Sequence, residues 1–312
     1  MAGVAPAGGA MMAPDPRQWR IGLVGYGEVG RILAEDLRAA GVARLAAYDV
    51  KLGGSADRPL REHAARHGVE LAASHAALAG GADLVVSAVT ASQTVPAAEA
   101  CAPAVGQGAW FLDFNSASPG AKQRAAAAID GAGGTYVEAA VMTSVPPHRI
   151  RVPMLLGGVR AAELQPRLAA LGFRAQVASD RLGVASATKM CRSVMIKGLE
   201  AMVIEAFTAA RGYGVEADVL ASLAETFPGI DWEQQASYFF QRVIEHGRRR
   251  AEEMREAAET VREIGLQPWS AAATAERQAW VADQVAHGEL GAPDAPDADW
   301  RVHADRILRR GR

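Results

Sequence analysis

The chain has 312 residues, 50 % of them apolar and 22 % charged, with a formal net charge of −2. That length suits two domains better than one, and so small a charge offers no field to draw in a polyanion, which argues against nucleic acid and membrane surfaces as partners. The two cysteines, Cys101 and Cys191, stand in no metal-ligand or redox spacing, so a reducing cytoplasm is the expected setting.

Residues 1–17 are rich in small residues, Gly and Pro. They lack the basic start and unbroken apolar run of a signal peptide, and a loose, disordered tail is expected there. From 18 to 181 short apolar runs alternate with Ala-rich stretches such as 31–40 and 121–130. Strands are predicted at Arg20–Val24, Arg44–Tyr48, 83–89, 110–114, 136–141, 154–156 and 174–177. Apolar runs of this length without polar alternation suit strands buried on both faces, giving a doubly wound α/β domain of Rossmann type around a parallel sheet. The apolar stretch 84–112 is broken by Gln93, Pro96, Glu99, Pro103 and Gln107 and does not read as a membrane span.

From 182 to 312 the strand pattern stops. One long helix is predicted over 186–211, roughly 39 Å at about 1.5 Å per residue, followed by helices over 215–225, 232–265 and 271–286. Leu266-Gln267-Pro268 separates the last two, since proline cannot continue a helix. An all-helical second domain, joined to the first through its long helix, is therefore expected.

Gly25-Tyr26-Gly27-Glu28-Val29-Gly30 lies between the first strand and its helix. In a dinucleotide-binding turn the first glycine makes the tight bend, the second leaves room for the pyrophosphate, and the third lets helix and strand pack closely. The diphosphate rests on unpaired N–H groups at the helix N-terminus. Asp49 ends the next predicted strand 19 residues after Gly30, the context this motif requires. Its carboxylate suits ribose hydroxyls and repels a 2′-phosphate, favouring NAD, although Lys51 nearby leaves NADP open.

Only four of the 33 basic residues are lysines: Lys51, Lys122, Lys189 and Lys197. Where arginine serves as the ordinary surface cation, a retained lysine is a candidate for an amine that must lose its proton. Lys189 lies near the start of the long helix, at the domain junction where clefts form. Lys197 is two turns on, roughly 12 Å along the axis, too far to serve the same atom. A structural lysine at the junction is the competing reading.

Four segments, in order, resemble the β-hydroxyacid dehydrogenase family, which includes 3-hydroxyisobutyrate dehydrogenase and is related to 6-phosphogluconate dehydrogenase. They are Gly22–Gly30, Asp113-Phe114-Asn115-Ser116-Ala117-Ser118-Pro119, Glu138-Ala139-Ala140-Val141-Met142-Thr143-Ser144, and Gly183–Ser193 with Lys189 inside it. The resemblance implies that Lys189 is the general acid and base of a hydride transfer. It implies that Ser116 faces the nicotinamide and substrate, that Val89 and Thr90 line the cofactor's other side, and that helical domains pair into a homodimer or homotetramer.

The chain departs from the family pattern at Met142-Thr143-Ser144, where the family has a carboxylate-binding Ser-Gly-Gly, and at Arg192-Ser193, where it has an Asn pair. On a helix both lie within a turn of Lys189. Arg192 is therefore a candidate to hold an anionic group, its alternative being an ion pair across the domain interface. His246-Gly247-Arg248-Arg249-Arg250 reads as a solvated basic face or a site element, and Trp232, Tyr238, Phe239 and Phe240 as core or pocket wall. No cluster has metal-ligand spacing, so no metal is expected. The leading expectation is a NAD(P)-dependent dehydrogenase acting on a small hydroxyacid. An imine reductase on the same fold is disfavoured by Lys189, which such relatives generally replace. A dinucleotide-binding scaffold without turnover is the third reading.

Overall fold

In the computed structural model, which describes residues 15–290 and 299–309, the first domain is wound around one eight-stranded sheet. Most of the expected tail lies outside the described residues, and Pro16–Gln18 forms a turn of 3-10 helix. In chain order the elements are β1 (Arg20–Val24), α1 (Glu28–Ala39), β2 (Arg44–Tyr48), α2 (Asp57–His67), β3 (Glu70–Leu71), α3 (His75–Ala79), β4 (Leu84–Ser87) and α4 (Thr94–Cys101). There follow β5 (Trp110–Asp113), α5 (Pro119–Gly131), β6 (Thr135–Val141), α6 (Val145–His148), β7 (Met154–Gly157), α7 (Ala161–Ala170) and β8 (Ala175–Ser179).

The strand order is β3-β2-β1-β4-β5-β6-β7-β8. Every pairing is parallel except β6 with β7, so the sheet is the expected doubly wound, mainly parallel one with a single antiparallel pairing. The chain between them holds only the four-residue α6 and a 3-10 turn, not the crossover helix a parallel return uses. β3, a two-residue edge strand, has no apolar run to announce it. Alternate residues of each buried strand feed opposite faces. Ile21 and Leu23 join Leu33 of α1, Leu60 of α2 and Leu164 of α7 on one face. Val24 and Val85 join Leu78 of α3, Ala98 of α4 and Ile129 of α5 on the other.

The second domain contains α8 (Val184–Tyr213), α9 (Glu216–Thr226), α10 (Trp232–Glu263), α11 (Trp269–Ala286) and α12 (Trp300–Leu308). Gly183 and Gly214, both at positive φ, bound the 30-residue α8, two residues longer at each end than predicted. α12 was not foreseen. Its Trp300 is fully buried against Phe207 and Phe240, and this aromatic group is the domain core. None of the described helices is long and apolar enough to cross a membrane.

Carboxylates fix how the domains meet. Glu138 of β6, fully buried, accepts from the N–H groups of Gly183 (2.7 Å) and Ala185 (3.1 Å) at the start of α8. From α10, Glu256 accepts from Ser118 N (2.8 Å) and Glu263 from Gly120 N (2.9 Å), at the start of α5. Acidic groups at helix N-termini satisfy orphan N–H donors and the favourable end of the helix dipole.

Candidate active site

The C-terminal ends of β1, β2, β4, β5 and β6 open on a cleft of about 580 Å³ roofed by α8 and α10. This is where open α/β sheets bind ligands, and the volume is within the usual range of about 300–1,000 Å³.

At one end lies the glycine turn. Gly25 has φ +89°, and a Cβ there would stand 2.4 Å from the Ala88 carbonyl oxygen. A Cβ at Gly30 would stand 2.1 Å from the Gly25 oxygen. Both positions are glycine because the fold leaves no room. Gly27 differs, since a Cβ there meets nothing within 4 Å. The space in front of it belongs to the cleft. No side chain caps α1 at Gly27, so the first-turn N–H groups face that space, as a diphosphate requires. Glu28 and Val29 line the cleft as well. Gly30 serves the packing behind it. The Tyr26 ring is fully buried in the core, with its hydroxyl 2.9 Å from His63 Nδ1.

Asp49, directly after β2, reaches back to the turn. Its carboxylate accepts from Tyr26 N (2.8 Å) and Lys51 N (2.9 Å), so it both braces the glycine loop and edges the cleft.

Midway, two loops face each other. Asn115 accepts from Val89 N (2.7 Å) and donates to Ser87 Oγ (3.0 Å), tying the loop after β5 to the one after β4. Val89, Thr90 and Ser116 line the cleft here. Beneath them Asp113, fully buried, pairs with Lys122 (2.9 Å), accepts from the Tyr136 hydroxyl (2.5 Å) and holds Asn115 N (2.9 Å).

At the far end Lys189 Nζ donates to Ser116 Oγ. Burial, reinforced by the charges of Lys197, Lys122 and Arg249, pulls the Lys189 ammonium down to about 8, against an opposing pull from Glu253. Lys197 also lines the cleft, closed on Glu253 in an ion pair. Glu253 resists its own burial because Lys197 and Lys189 outweigh it, leaving the carboxyl at about 2. Met142, Thr143, Ser144, Arg192 and Ser193 all face this end, and Arg192 makes no ion pair with any described residue.

Of the basic run on α10, Arg249 and Arg250 line the cleft, Arg250 buried against Glu200. Arg248 instead pairs with Asp283 away from it. Trp232, Phe239 and Phe240 are core, and only Tyr238 reaches the cleft. Glu35, His63 and His67 bring ligand-type atoms within 4.8 Å of one another. They lie outside the cleft, and Glu35 is already bound to Arg149.

Residues 20–172 match the NAD binding domain of 6-phosphogluconate dehydrogenase, and residues 210–281 match a domain of unknown function, DUF1932. A conserved hypothetical protein from Sinorhizobium meliloti 1021 is 40 % identical across 93 % of this chain and 96 % of its own, with a TM-score of 0.74. The protein MTH1747, described as structurally similar to 3-hydroxyacid dehydrogenases, is 30 % identical across 85 % of this chain and 98 % of its own, with a TM-score of 0.65. The chain belongs to the β-hydroxyacid dehydrogenase family. The 3-hydroxyisobutyrate dehydrogenase of Mycobacterium tuberculosis, solved with L-serine, shares the fold at 17 % identity, 93 % and 99 % coverage and a TM-score of 0.69.

This β-hydroxyacid dehydrogenase family member is a divergent one. Its departures, residues 142–144 after β6 and 192–193 on α8, all line this one cleft. Lys197 and its partner Glu253 belong to the site without being marked by any motif. The scarcity of lysine applied to Lys197 as much as to Lys189, and positions 189, 193, 197 and 200 recur on one helical face. The partner carboxylate, 56 residues away in sequence, left no local signal.

Proposed function

We propose that the protein is an NAD(P)-dependent oxidoreductase moving a hydride reversibly between the nicotinamide ring and the hydroxyl-bearing carbon of a small anionic hydroxyacid. The Lys189–Ser116 contact, where the floor of the cleft meets its roof, carries this reading. The bound dinucleotide supplies or accepts the hydride. Lys189 handles the proton: its ammonium gives one to the carbonyl oxygen in reduction, and its amine takes one from the hydroxyl in oxidation. An ammonium near 8 is close enough to neutrality to work in both directions.

Ser116 holds Nζ in place. Arg192, with no carboxylate partner among the described residues, receives the substrate's acid group in a two-pronged contact, with Ser193 and the 142–144 loop completing its surroundings. Asp49 favours NAD by accepting from ribose hydroxyls. Exposed apolar residues along α8 support pairing into a homodimer or homotetramer.

The test is Lys189→Ala. Turnover on the best substrate from a screen of hydroxyacids and cyclic imines should fall roughly 10²–10⁴-fold, while dinucleotide binding, read by nicotinamide fluorescence, persists. Undiminished turnover would overturn the mechanism. Imines reduced in preference to every oxo acid would replace the substrate class.

A further inference from the structure

The substrate end of the cleft carries more positive charge than one carboxylate can balance. Arg250 is closed on Glu200 and drops out of the account. Five cations of the described lining remain on the two roof helices: Lys189, Arg192 and Lys197 from α8, and Arg242 and Arg249 from α10, Arg242 lying over the Tyr238 ring. Against them stand Glu252 and Glu253. Glu253 is committed to Lys197, and Arg249 reaches it only at 3.9 Å. Arg249 is half exposed and lines the cleft, and a guanidinium stays charged at every pH at which a protein folds. Its field is felt at Lys189, whose ammonium it helps to lower after burial and the two other lysines. Arg192, one turn from Lys189, has no acidic partner among the described residues. Arg192 and Arg249, both under-neutralised, therefore stand on different helices of the same cleft as the proton-transferring amine.

We infer that the substrate is a dianion, with one acidic group on Arg192 and a second, carboxylate or phosphate, on Arg249, so that the reacting carbon lies between them beside Lys189. Planar, five-donor guanidiniums suit oxyanions of either kind. The inference deepens the hydroxyacid reading and rests on it for the reacting centre. A cofactor phosphate is the other oxyanion within the cleft that Arg249 would bind.

The test reads binding rather than turnover, so it stands or falls apart from the role of Lys189. Protein saturated with whichever of NADH and NADPH binds more tightly is titrated calorimetrically with butyrate, succinate, glutarate, adipate and phosphoglycolate. At least one dianion should bind about tenfold or more tightly than butyrate. Arg249→Gln should erase that advantage while leaving butyrate and dinucleotide affinities within about twofold, and Arg249→Lys should restore part of it. Arg192→Gln should weaken every acid. Equal binding of butyrate and all dianions by the unaltered protein would overturn the proposal. So would an Arg249→Gln variant that keeps the dianion preference, or one that chiefly loses dinucleotide affinity, which would assign Arg249 to a cofactor phosphate.

Discussion

Lys122 and Asp113 form an ion pair inside the first domain, with Nζ 2.9 Å from Oδ1 and side-chain exposures of 1 % and 0 %. Lys122 also donates to the Asp113 carbonyl (3.0 Å), so one ammonium fixes both ends of the residue that begins the Ser116 loop. Replacing Lys122 by Met strands a buried carboxylate, a change that costs about 3–5 kcal/mol. Denaturant unfolding should show this loss, and Lys122→Arg should not repair it, because a forked guanidinium does not fit a site built for an ammonium. A Lys122→Met protein as stable as its parent would show the pair to be dispensable.

The Lys189 ammonium at about 8 gives a pH dependence of definite sign. Reduction uses the protonated form, so kcat/KM for the oxo acid should be level below about 8 and fall above it. Oxidation uses the free amine and should rise up to about 8, then level off. The stability effect follows from the same value. The folded state holds the group below its ordinary 10.5, so it binds fewer protons than the unfolded chain between those limits. The penalty is complete below about 8 and disappears toward 10.5. Lys189→Met should therefore be more stable than its parent at neutral pH, by about 1–3 kcal/mol, with the gap closing as pH rises from 8. Thermal melts across that range check it.

Two glycines of one motif should respond differently to alanine. Gly30→Ala drives a Cβ into the Gly25 carbonyl and should lower stability by about 1–3 kcal/mol, with or without cofactor. Gly27→Ala meets no protein atom, so the free protein should melt as before while dinucleotide affinity falls. Fluorescence titration beside calorimetry separates the two.

Much of this was legible because it is local. β1, β2 and the glycine turn announce themselves by unbroken apolar runs and a fixed spacing. α10 does so by its length and by the Leu266-Gln267-Pro268 break after it. The antiparallel β7 was not legible, because an apolar run of four residues carries no sign of direction. Glu138, Glu253 and Glu256 were not legible as anchors either. Their partners lie 45 residues or more away in sequence, and only the folded chain brings them together.

Asp49 braces the glycine turn and is proposed to select the cofactor, and Asp49→Ala removes both contributions. The ratio of NADP to NAD turnover should rise severalfold, and total dinucleotide affinity should drop because Tyr26 N and Lys51 N lose their acceptor. An unaltered protein that already prefers NADP would reverse the assignment of NAD.

Met195, Met202 and Tyr213 on α8 are 74 %, 62 % and 87 % exposed, an apolar stripe that a lone subunit leaves in water. Met202→Glu should shift the protein toward monomer in sedimentation velocity without lowering its dinucleotide affinity. A parent protein that sediments as a monomer would remove the proposed assembly.

The placement of the four lysines has a practical side. Lys122 is sealed in the core, Lys197 is locked to Glu253, Lys189 reaches from the cleft roof to Ser116, and only Lys51 is exposed, at the cofactor end. To an amine-directed reagent the outer surface of the described residues is almost blank. A mild acylating probe should mark Lys51 first and Lys189 next, the latter favoured by its easily freed amine, and a bound dinucleotide should shield both. Peptide mapping of that label would then report occupancy of the whole cleft, with no need to know the substrate.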